Sequence, residues 1–177
     1  MVRFLLLVAF SFPAIVVVAD GAASARHLRF YMHDTVTGSP ATAARVTRGA
    51  APLPGDPVNR FGDEYVIDDP LTEGPDAASP AVGRAQGFYV FASRSDQALL
   101  LRADLVFTAG KHNGSSVAVL ARDAIFDEVR ELPVVGGAGR FRGAAGYGLL
   151  RTHSYNASAN NAVLRVDIAD LEVVTPK

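Results

Sequence analysis

The residue best suited to acid–base chemistry in this sequence is Asp34. The segment "LRFYMHD" (28–34) alternates, so Asp34 falls in phase with Leu28, Phe30 and Met32 and is predicted to point inward. A carboxyl group buried there would have a raised pKa and would suit proton donation to, or acceptance from, a ligand hydroxyl. The alternative is that Asp34 simply begins the turn "DTVTGS", and the sequence leaves both interpretations open.

Asp68 and Asp69 stand side by side before Pro70 in "VIDDPLTEGPD". Paired carboxylates can do acid–base work, which makes Asp68 a second, weaker catalytic candidate. Acidic residues before a proline also begin turns, because the proline restricts the preceding backbone to extended or turn conformations. The turn is the favoured interpretation of this pair.

Aromatic residues supply the candidate substrate-binding surface. In "GRAQGFYVFA" (83–92), Tyr89 and Phe91 share one face of a predicted strand, and Phe30 and Phe107 take inward positions on two others. A cavity for a flat phenolic ligand would be lined in this way. The simpler alternative is that these aromatic side chains belong to the hydrophobic core.

Several kinds of chemistry find no support in the composition. The chain has no cysteine, which excludes disulfides, thiolate zinc ligands and thiol nucleophiles. The four histidines (His27, His33, His112, His153) show no metal-ligand spacing, and no cofactor motif stands out, so we expect neither metal nor cofactor. A formal net charge of −1 argues against nucleic acid as a partner.

The stretch "VVGGAGRFRGAAGYG" (134–148) holds six glycines. Gly137, Gly139 and Gly143 are spaced almost like a dinucleotide-binding fingerprint, but the next segment reads "YGLLRTHSY" and is not an amphipathic helix. The context therefore favours a tight turn and a bent strand of a barrel.

Hydrophobic periodicity along the rest of the chain is close to two, as in half-buried strands. We predict strands over 27–34, 43–49, 61–68, 81–92, 98–109, 115–122, 124–134 and 140–153, with a last one over 162–174. The Pro- and Gly-rich segment 49–60 is predicted to be a loop near a barrel mouth. Short strands with frequent turns favour an all-β fold, an eight-stranded antiparallel β-barrel or a sandwich.

The N-terminal segment "MVRFLLLVAFSFPAIVVVADGAASA" has the features of a secretory signal peptide. Arg3 precedes an apolar run broken by Pro13, and small residues come after it, so we expect cleavage near residues 19–25 and a single domain over 26–177. A membrane anchor is the alternative, but the apolar run is short for a span. Asn113 and Asn156 head two N-glycosylation sequons, as expected in a secreted protein.

Six motifs in order resemble the plant dirigent proteins: "FYMHD", "FGDEYVIDDPLTEGPD", "VGRAQGFYVFA", "LVFTAGKHNGSS", "VRELPVVGGAG" and "NAVLRVDI". The resemblance runs from about Phe30 to Val173. It implies an eight-stranded antiparallel barrel of the dirigent and allene oxide cyclase type, secreted to the apoplast or cell wall and assembled as a homotrimer or homodimer. It also implies binding of phenoxy radicals made by a separate laccase or peroxidase, whose coupling the protein directs towards one stereoisomer.

The same resemblance assigns individual positions. Asp34 matches the Asp of the family's "HD" motif, and Tyr89 matches the Tyr after "AQGF". Phe91 stands where lignan-forming members have a second Tyr. Arg140 and Ala145 stand where those members have an Asp and an Arg, which implies that two polar pocket groups are changed. A cysteine pair of one branch of the family is absent.

These observations leave three hypotheses for the function. The leading one is a stereo-directing protein without oxidative activity of its own, acting on coniferyl alcohol-type radicals in lignan biosynthesis. The second is a lyase or cyclase that acts on a phenolic quinone methide, as some relatives do in pterocarpan formation. The third is a non-catalytic extracellular barrel that binds a phenolic compound or a wall glycan.

Overall fold

The computed structural model describes residues 26–173, and the predicted signal peptide lies outside the described residues. The strands are β1 (Arg26–Asp34), β2 (Ala43–Thr47), β3 (Ala51–Pro52), β4 (Arg60–Phe61), β5 (Glu64–Thr72), β6 (Ala81–Phe91), β7 (Ala98–Phe107), β8 (Ser115–Ala124), β9 (Arg130–Ala138), β10 (Ala145–Asn156) and β11 (Asn161–Glu172). Single turns of 3-10 helix lie at Gly110–His112 and Gly139–Phe141. Within residues 26–173, no helix has the length and hydropathy needed to cross a membrane.

Eight of these strands close into an antiparallel barrel. Their order around the barrel is β1-β11-β10-β9-β8-β7-β6-β5, and β5 completes the circle by pairing with β1 at Leu71 and Thr72. β2 pairs with the first half of β5, so β1 and β2 occupy successive parts of the same β5 edge. The predicted eight-stranded antiparallel barrel is confirmed.

Pro70 can lie inside β5 because the partner of this β5 edge changes there from β2 to β1. The Asp68 N–H donates to the carbonyl oxygen of Thr42 at 2.9 Å, so the nitrogen of Pro70, two residues on, faces the same edge. β2 has ended there and β1 pairs only with the next two residues, so the proline removes no ladder hydrogen bond. The predicted turn at Asp68 and Asp69 is therefore wrong, because β5 continues through both to Thr72.

Side-chain alternation places the core inside the barrel. In β7, the four inward side chains from Leu101 to Phe107 are at most 4% exposed. Arg102 and Asp104 lie between them on the outer face, where they form an ion pair. Burial of the inward apolar faces drives closure, and closure leaves the barrel strands with few free edges.

The segment between β8 and β9 corrects a second prediction. A strand was predicted over 124–134, but β8 extends to Ala124 and β9 begins at Arg130, so residues 125–129 form a turn. Its apolar residues suggested a strand, yet Phe126 and Val129 are exposed. Backbone hydrogen bonding between Asp127 N–H and the Ala124 carbonyl at 2.8 Å closes the turn.

The two ends of the barrel differ in their connections. At one end, called the mouth end here, lie the turns at 92–97, 125–129 and 157–160. At the opposite end, called the closed end, lie the turns at 73–80, 108–114 and 139–144. Gln97 from the first mouth-end turn donates to the carbonyl of Pro54 at 2.8 Å, so the 49–60 segment, which contains β3, borders the mouth end.

The glycine-rich stretch closes the barrel at the closed end. Gly139 has φ +61°, and a Cβ atom there would lie 2.7 Å from Ser115 Oγ, so only glycine lets the turn approach β8 this closely. The hydroxyl of Ser115 accepts a hydrogen bond from the Arg140 N–H at 3.1 Å. This approach buries Phe141 completely, and the pairing of β8 with β9 shifts register beside Val135. The bent strand and the tight turn are as predicted, but the strand predicted over 140–153 begins only at Ala145 because the turn occupies the residues before it.

Candidate functional site

A cavity of about 290 Å³ opens at the mouth end of the barrel. Its inner walls are mostly apolar side chains from the barrel strands, including Met32, Ile67, Phe91, Leu99, Leu101 and Leu164. Its inner polar groups are few and come from separate strands: Asp34, Asp69, Tyr89 and Arg130, while Thr152 on β10 is exposed where the cavity opens. An apolar cavity with a few convergent polar groups is typical of a small-molecule binding site.

Asp34 and Asp69 bring two carboxyl groups together in this cavity. Asp34 ends β1, and Asp69 lies on β5, which pairs with β1. Oδ1 of Asp34 and Oδ2 of Asp69 are buried without a hydrogen-bond partner among residues 26–173. The other oxygen of Asp69, Oδ1, accepts a hydrogen bond from the Thr42 hydroxyl at 2.6 Å. Two buried oxygens thus remain available to a ligand.

The environment holds protons on this pair. Burial raises the pKa of Asp34 to about 6; the Tyr89 hydroxyl opposes the rise and the Asp123 carboxylate adds to it. Burial likewise raises the pKa of Asp69 to about 8, with a further contribution from Asp34. Two interacting carboxyl groups titrate as a pair, so near neutral pH the pair holds a proton that it can donate.

Tyr89 connects the acids to an aromatic wall. Its ring stacks on Tyr65 with centroids 5.0 Å apart and meets Phe91 edge to face at 6.4 Å. Tyr65 is itself held by a 3.2 Å hydrogen bond from its hydroxyl to Asn59 Oδ1. Burial and the neighbouring Asp34 raise the pKa of the Tyr89 hydroxyl far above its usual value, so it stays protonated. Tyr89 is therefore a neutral hydrogen-bond donor beside the carboxyl pair.

A buried ion pair lies across the barrel from the acids. Arg130, at the start of β9, places Nε 2.9 Å from Asp123 Oδ1, and both side chains are at most 4% exposed. Arg130 Nη1 also donates to Thr152 Oγ1 at 2.8 Å and to the Asp127 carbonyl at 3.2 Å. β9 is three strands from β1 in one direction and four from β5 in the other, so Arg130 occupies the opposite wall.

The mouth of the cavity is more polar and more exposed than its interior. Phe126 is 69% exposed and meets Tyr155 edge to face with centroids 6.4 Å apart. Asp127, Glu128 and Asn160 also line this rim. Within residues 26–173, no group of three or more acidic, histidine or cysteine side chains is arranged to hold a metal ion.

Comparison with known proteins identifies the family. A family model described as Dirigent-like protein matches residues 25–169, nearly all of the described chain. The chain belongs to the dirigent family. The resemblance inferred from the six ordered motifs is therefore confirmed.

The relatives include proteins named only as dirigent proteins and proteins named as pterocarpan synthases. Dirigent protein 1 of Arabidopsis thaliana is 48% identical over 128 residues, which are 72% of this chain and 69% of that protein. Pterocarpan synthase 1 of Glycyrrhiza echinata is 38% identical over 147 residues, 80% of this chain and 75% of that protein. The solved structure of the pterocarpan synthase dirigent protein GePTS1 superimposes with a TM-score of 0.78 at 36% identity, covering 85% of this chain and 91% of that one.

The dirigent barrel brings together only part of the predicted site. Asp34, Tyr89 and Phe91 line the cavity. Asp68 lies on the outer face, where its carboxylate pairs with Arg84. Phe30 and Phe107 pack edge to face at 6.0 Å in the core of the closed end and do not line this cavity.

The glycine stretch and the sequons also lie away from the cavity interior. Arg140 and Ala145 belong to the closed end; Ala145 is seven residues from Thr152 along β10, roughly 23 Å at about 3.3 Å per residue. Asn113 is exposed at the closed end and Asn156 is exposed at the mouth end. Their glycosylation stays a prediction.

Two of the main polar residues of the dirigent cavity were not among the predicted site residues. Asp69 points inward because it is in phase with Tyr65, Ile67 and Leu71, a pattern that includes Asp69 only if the strand predicted over 61–68 continues beyond Asp68. Arg130 is in phase with Leu132 and Val134 inside the strand predicted over 124–134, but an arginine is seldom fully buried unless it is paired. Its partner, Asp123, is on the neighbouring strand β8, and this pairing explains how Arg130 can be buried.

Proposed function

We propose that this protein binds a phenolic compound in its cavity and controls the fate of a quinone methide by proton transfer from Asp34 and Asp69. The observation that carries the proposal is the pair of buried carboxyls with raised pKa values and two unpartnered oxygens in an apolar cavity. A carboxylic acid kept protonated in a water-poor site is a general acid, and its conjugate base can then act as a general base. Relatives named pterocarpan synthase support this class of reaction.

The reaction we propose is a dehydrative ring closure. The acid pair donates a proton to a benzylic hydroxyl, the C–O bond breaks and water leaves, while the phenol oxygen loses its proton to solvent. The resulting quinone methide is attacked at the benzylic carbon by a second hydroxyl of the same molecule. That hydroxyl returns its proton to the carboxylate, and the phenol oxygen is reprotonated. One water is lost in total and no electrons are transferred.

The cavity shape adds stereochemical control. Tyr89 and Phe91 hold a flat ring against one wall, so the quinone methide presents one face to the attacking hydroxyl. The same apolar walls support a second candidate, the coupling of phenoxy radicals supplied by an external laccase or peroxidase. The carboxyl pair would then handle protons after coupling, and the protein would need no oxidative chemistry of its own. We place either activity outside the cell, on the basis of the predicted signal peptide and sequons.

Two parallel assays separate these candidates. In the first, purified protein is incubated without oxidase with a phenol that carries a benzylic hydroxyl and a second hydroxyl in reach, and ring closure and product chirality are measured. In the second, coniferyl alcohol and a laccase are supplied and the coupled products are resolved on a chiral column. We expect turnover in the first assay, with a rate that falls as pH rises through about 6–8 because the donor loses its proton.

Asn substitutions test the role of the acids. Asp34→Asn and Asp69→Asn should each lower the ring-closure rate by about 10²- to 10⁴-fold, the usual contribution of a general acid or base. Asp104→Asn is the matched control, since that carboxylate lies on the outer face of β7 in a pair with Arg102. A wild-type rate in the Asp34→Asn, Asp69→Asn double variant would refute the proposal.

A further inference from the structure

Arg130 is a buried cation that the proposed proton transfers do not use. Its guanidinium is fixed by hydrogen bonds to Asp123 Oδ1, Thr152 Oγ1 and the Asp127 carbonyl, at 2.9, 2.8 and 3.2 Å. These bonds use Nε and Nη1, and Nη2 makes no hydrogen bond to another residue in the part of the chain that the structure describes. A rigid guanidinium therefore has donors left for a ligand.

Arg130 is the member of the ion pair that lines the cavity. Asp123 is not among the lining residues, although its carboxylate is near enough to contribute to the raised pKa of Asp34. The titratable groups that face Arg130 from the surrounding elements are Asp123 on β8, Asp127 and Glu128 at the rim, Tyr155 on β10, and Asp34 and Asp69 across the cavity. A fixed guanidinium with a free donor in a low-dielectric site favours negative charge on a ligand oxygen.

A structural role alone does not account for this arrangement. Replacing a buried ion pair by apolar residues of similar volume is commonly neutral or stabilising, so burial of the pair needs another explanation. The rest of the inner wall is apolar apart from the acids and Tyr89. A cation at this point, opposite the acid pair, gives the cavity a direction along which a polar ligand must align.

We infer that Arg130 binds the phenolic oxygen of the ligand and stabilises its negative charge while the benzylic carbon lies against Asp34 and Asp69. The inference rests on the proposed function for the orientation of the ligand, and it narrows the substrate class. Because Arg130 and the acids lie on opposite walls, the phenol oxygen and the benzylic carbon must be at opposite ends of one ring. The substrate is then a para-hydroxybenzyl type phenol.

Arg130 beside the phenolic oxygen would also stabilise the charge that this oxygen carries during the reaction. A quinone methide forms when the phenol oxygen gives up its proton, and it collapses when that oxygen regains negative charge as the nucleophile adds. A donor aimed at this oxygen stabilises charge at both steps. Arg130 is thus assigned to the charged end of the ligand, and the acid pair to the leaving and attacking hydroxyls.

Binding of 4-nitrophenol tests the inference without any turnover. This probe is a phenol whose ionisation changes its visible absorbance, so the neutral and ionised forms can be titrated separately in the bound state. We expect full-length wild-type protein to bind the phenolate about tenfold more tightly than the neutral phenol, as a hydrogen bond to a charged group allows. Equal affinity for the two forms, or no saturable binding, would overturn the inference.

Variants of the ion pair give opposite expected results. Arg130→Gln should remove the preference for the phenolate, and Arg130→Lys should keep part of it. Asp123→Asn leaves the guanidinium without its counter-charge and should increase the preference severalfold, which a purely structural pair would not do. If Arg130→Gln fails to fold, the Asp123→Asn, Arg130→Gln double variant, which leaves no unpaired charge, is used instead. The same loss of the preference for the phenolate is expected.

Two further proteins complete the test. Arg84→Gln changes an arginine of an outer-face ion pair and should leave the preference as in wild type. The Asp34→Asn, Asp69→Asn double variant should retain the preference even though its ring-closure activity is lost. A preference that survives in Arg130→Gln would refute the role of Arg130 while leaving the proposed acid chemistry untouched.

Discussion

The mouth end and the closed end of the barrel are built from the same strands but differ in their interiors: the closed end is packed with aromatic side chains, and the mouth end contains a cavity with buried acids. At the closed end, Phe107 and Phe141 pack with centroids 5.5 Å apart and His112 lies 5.0 Å from Phe141. At the mouth end, the equivalent interior contains Asp34, Asp69 and a cavity of about 290 Å³. Buried carboxyl oxygens without partners oppose folding, so the closed end must supply stability that the mouth end gives up.

β1 shows how one strand serves both ends. Phe30 and Asp34 point into the same interior, four residues apart, one into the aromatic packing and the other into the cavity. Substitutions at the two ends should therefore differ in kind: those at the closed end should change the free energy of unfolding, and those at the mouth end should change binding and turnover.

The largest stability change is expected at the closed end. Phe141→Ala removes a side chain with no exposed surface that contacts Phe107 and His112, and should lower the free energy of unfolding by about 3–5 kcal/mol. Urea denaturation measures the change. Phe126→Ala is the matched substitution at the mouth end, where the ring is 69% exposed, and should cost at most about 0.5 kcal/mol while weakening ligand binding. Equal losses of stability would contradict the division of roles.

The next effect concerns the pH dependence of stability at the mouth end. The folded-state pKa of Asp34 is raised from 3.8 to about 6, so between these values the folded protein binds more protons than the unfolded chain. Stability therefore falls as pH rises through this window, and the raised pKa of Asp69 extends the fall towards pH 8.

The Asp34→Asn, Asp69→Asn double variant should lack this fall. The two carboxyls titrate as a pair, and the pKa of Asp34 rises from 3.8 to about 6, so the double variant should gain about 3 kcal/mol over wild type between pH 4 and pH 8. Urea midpoints measured across that range for both proteins provide the comparison. Asp104→Asn, on the outer face, should track the wild-type curve. Parallel curves for wild type and the double variant would show that the pair is not held protonated.

The glycine turn tests how closely the closed end is packed. Gly139 and Gly110 have φ of +61° and +63°, so alanine meets the same backbone penalty of about 1–2 kcal/mol at both positions. A Cβ atom at Gly139 would lie 2.7 Å from Ser115 Oγ, whereas one at Gly110 meets nothing within 4 Å. Gly139→Ala should therefore lose about 1 kcal/mol more than Gly110→Ala in thermal or urea unfolding. Equal losses would show that the turn can shift away from β8.

Much of the fold was predictable from the sequence because the burial of apolar side chains at alternate positions dominates it. Inward burial of alternate residues fixes strands such as β7 and β11 whatever the rest of the chain does. The prediction went wrong where a local signal opposed the sheet. Pro70 suggested a turn. It lies on the edge of β5 after the pairing with β2 has ended and before the pairing with β1 begins, so its missing N–H breaks no ladder hydrogen bond. That position depends on the closure of the whole barrel.

The candidate site was predictable only in part for a similar reason. Alternation placed Asp34, Tyr89 and Phe91 inward, but it could not tell which end of the barrel each inward residue occupies. Phe30 and Phe107 were therefore assigned to the cavity although they pack at the closed end. Arg130 and Asp123 are each in phase with buried residues of their own strand, but they are on different strands, so the sequence pattern does not show that they pair.

The smallest expected effect comes from the neighbour of a catalytic candidate. Asp68 and Asp69 are adjacent in β5, yet Asp68 is on the outer face, where Arg84 and Gln86 donate to its carboxylate and hold its pKa below the usual value. Asp68→Asn should change the free energy of unfolding by at most about 0.5 kcal/mol, because exposed ion pairs contribute little. Its ring-closure rate should equal that of wild type, whereas Asp69→Asn should lose most activity. If Asp68→Asn instead lost activity while Asp69→Asn kept it, β5 would present the opposite face to the cavity, and the pairing of β5 with β1 would have to be one residue out of register.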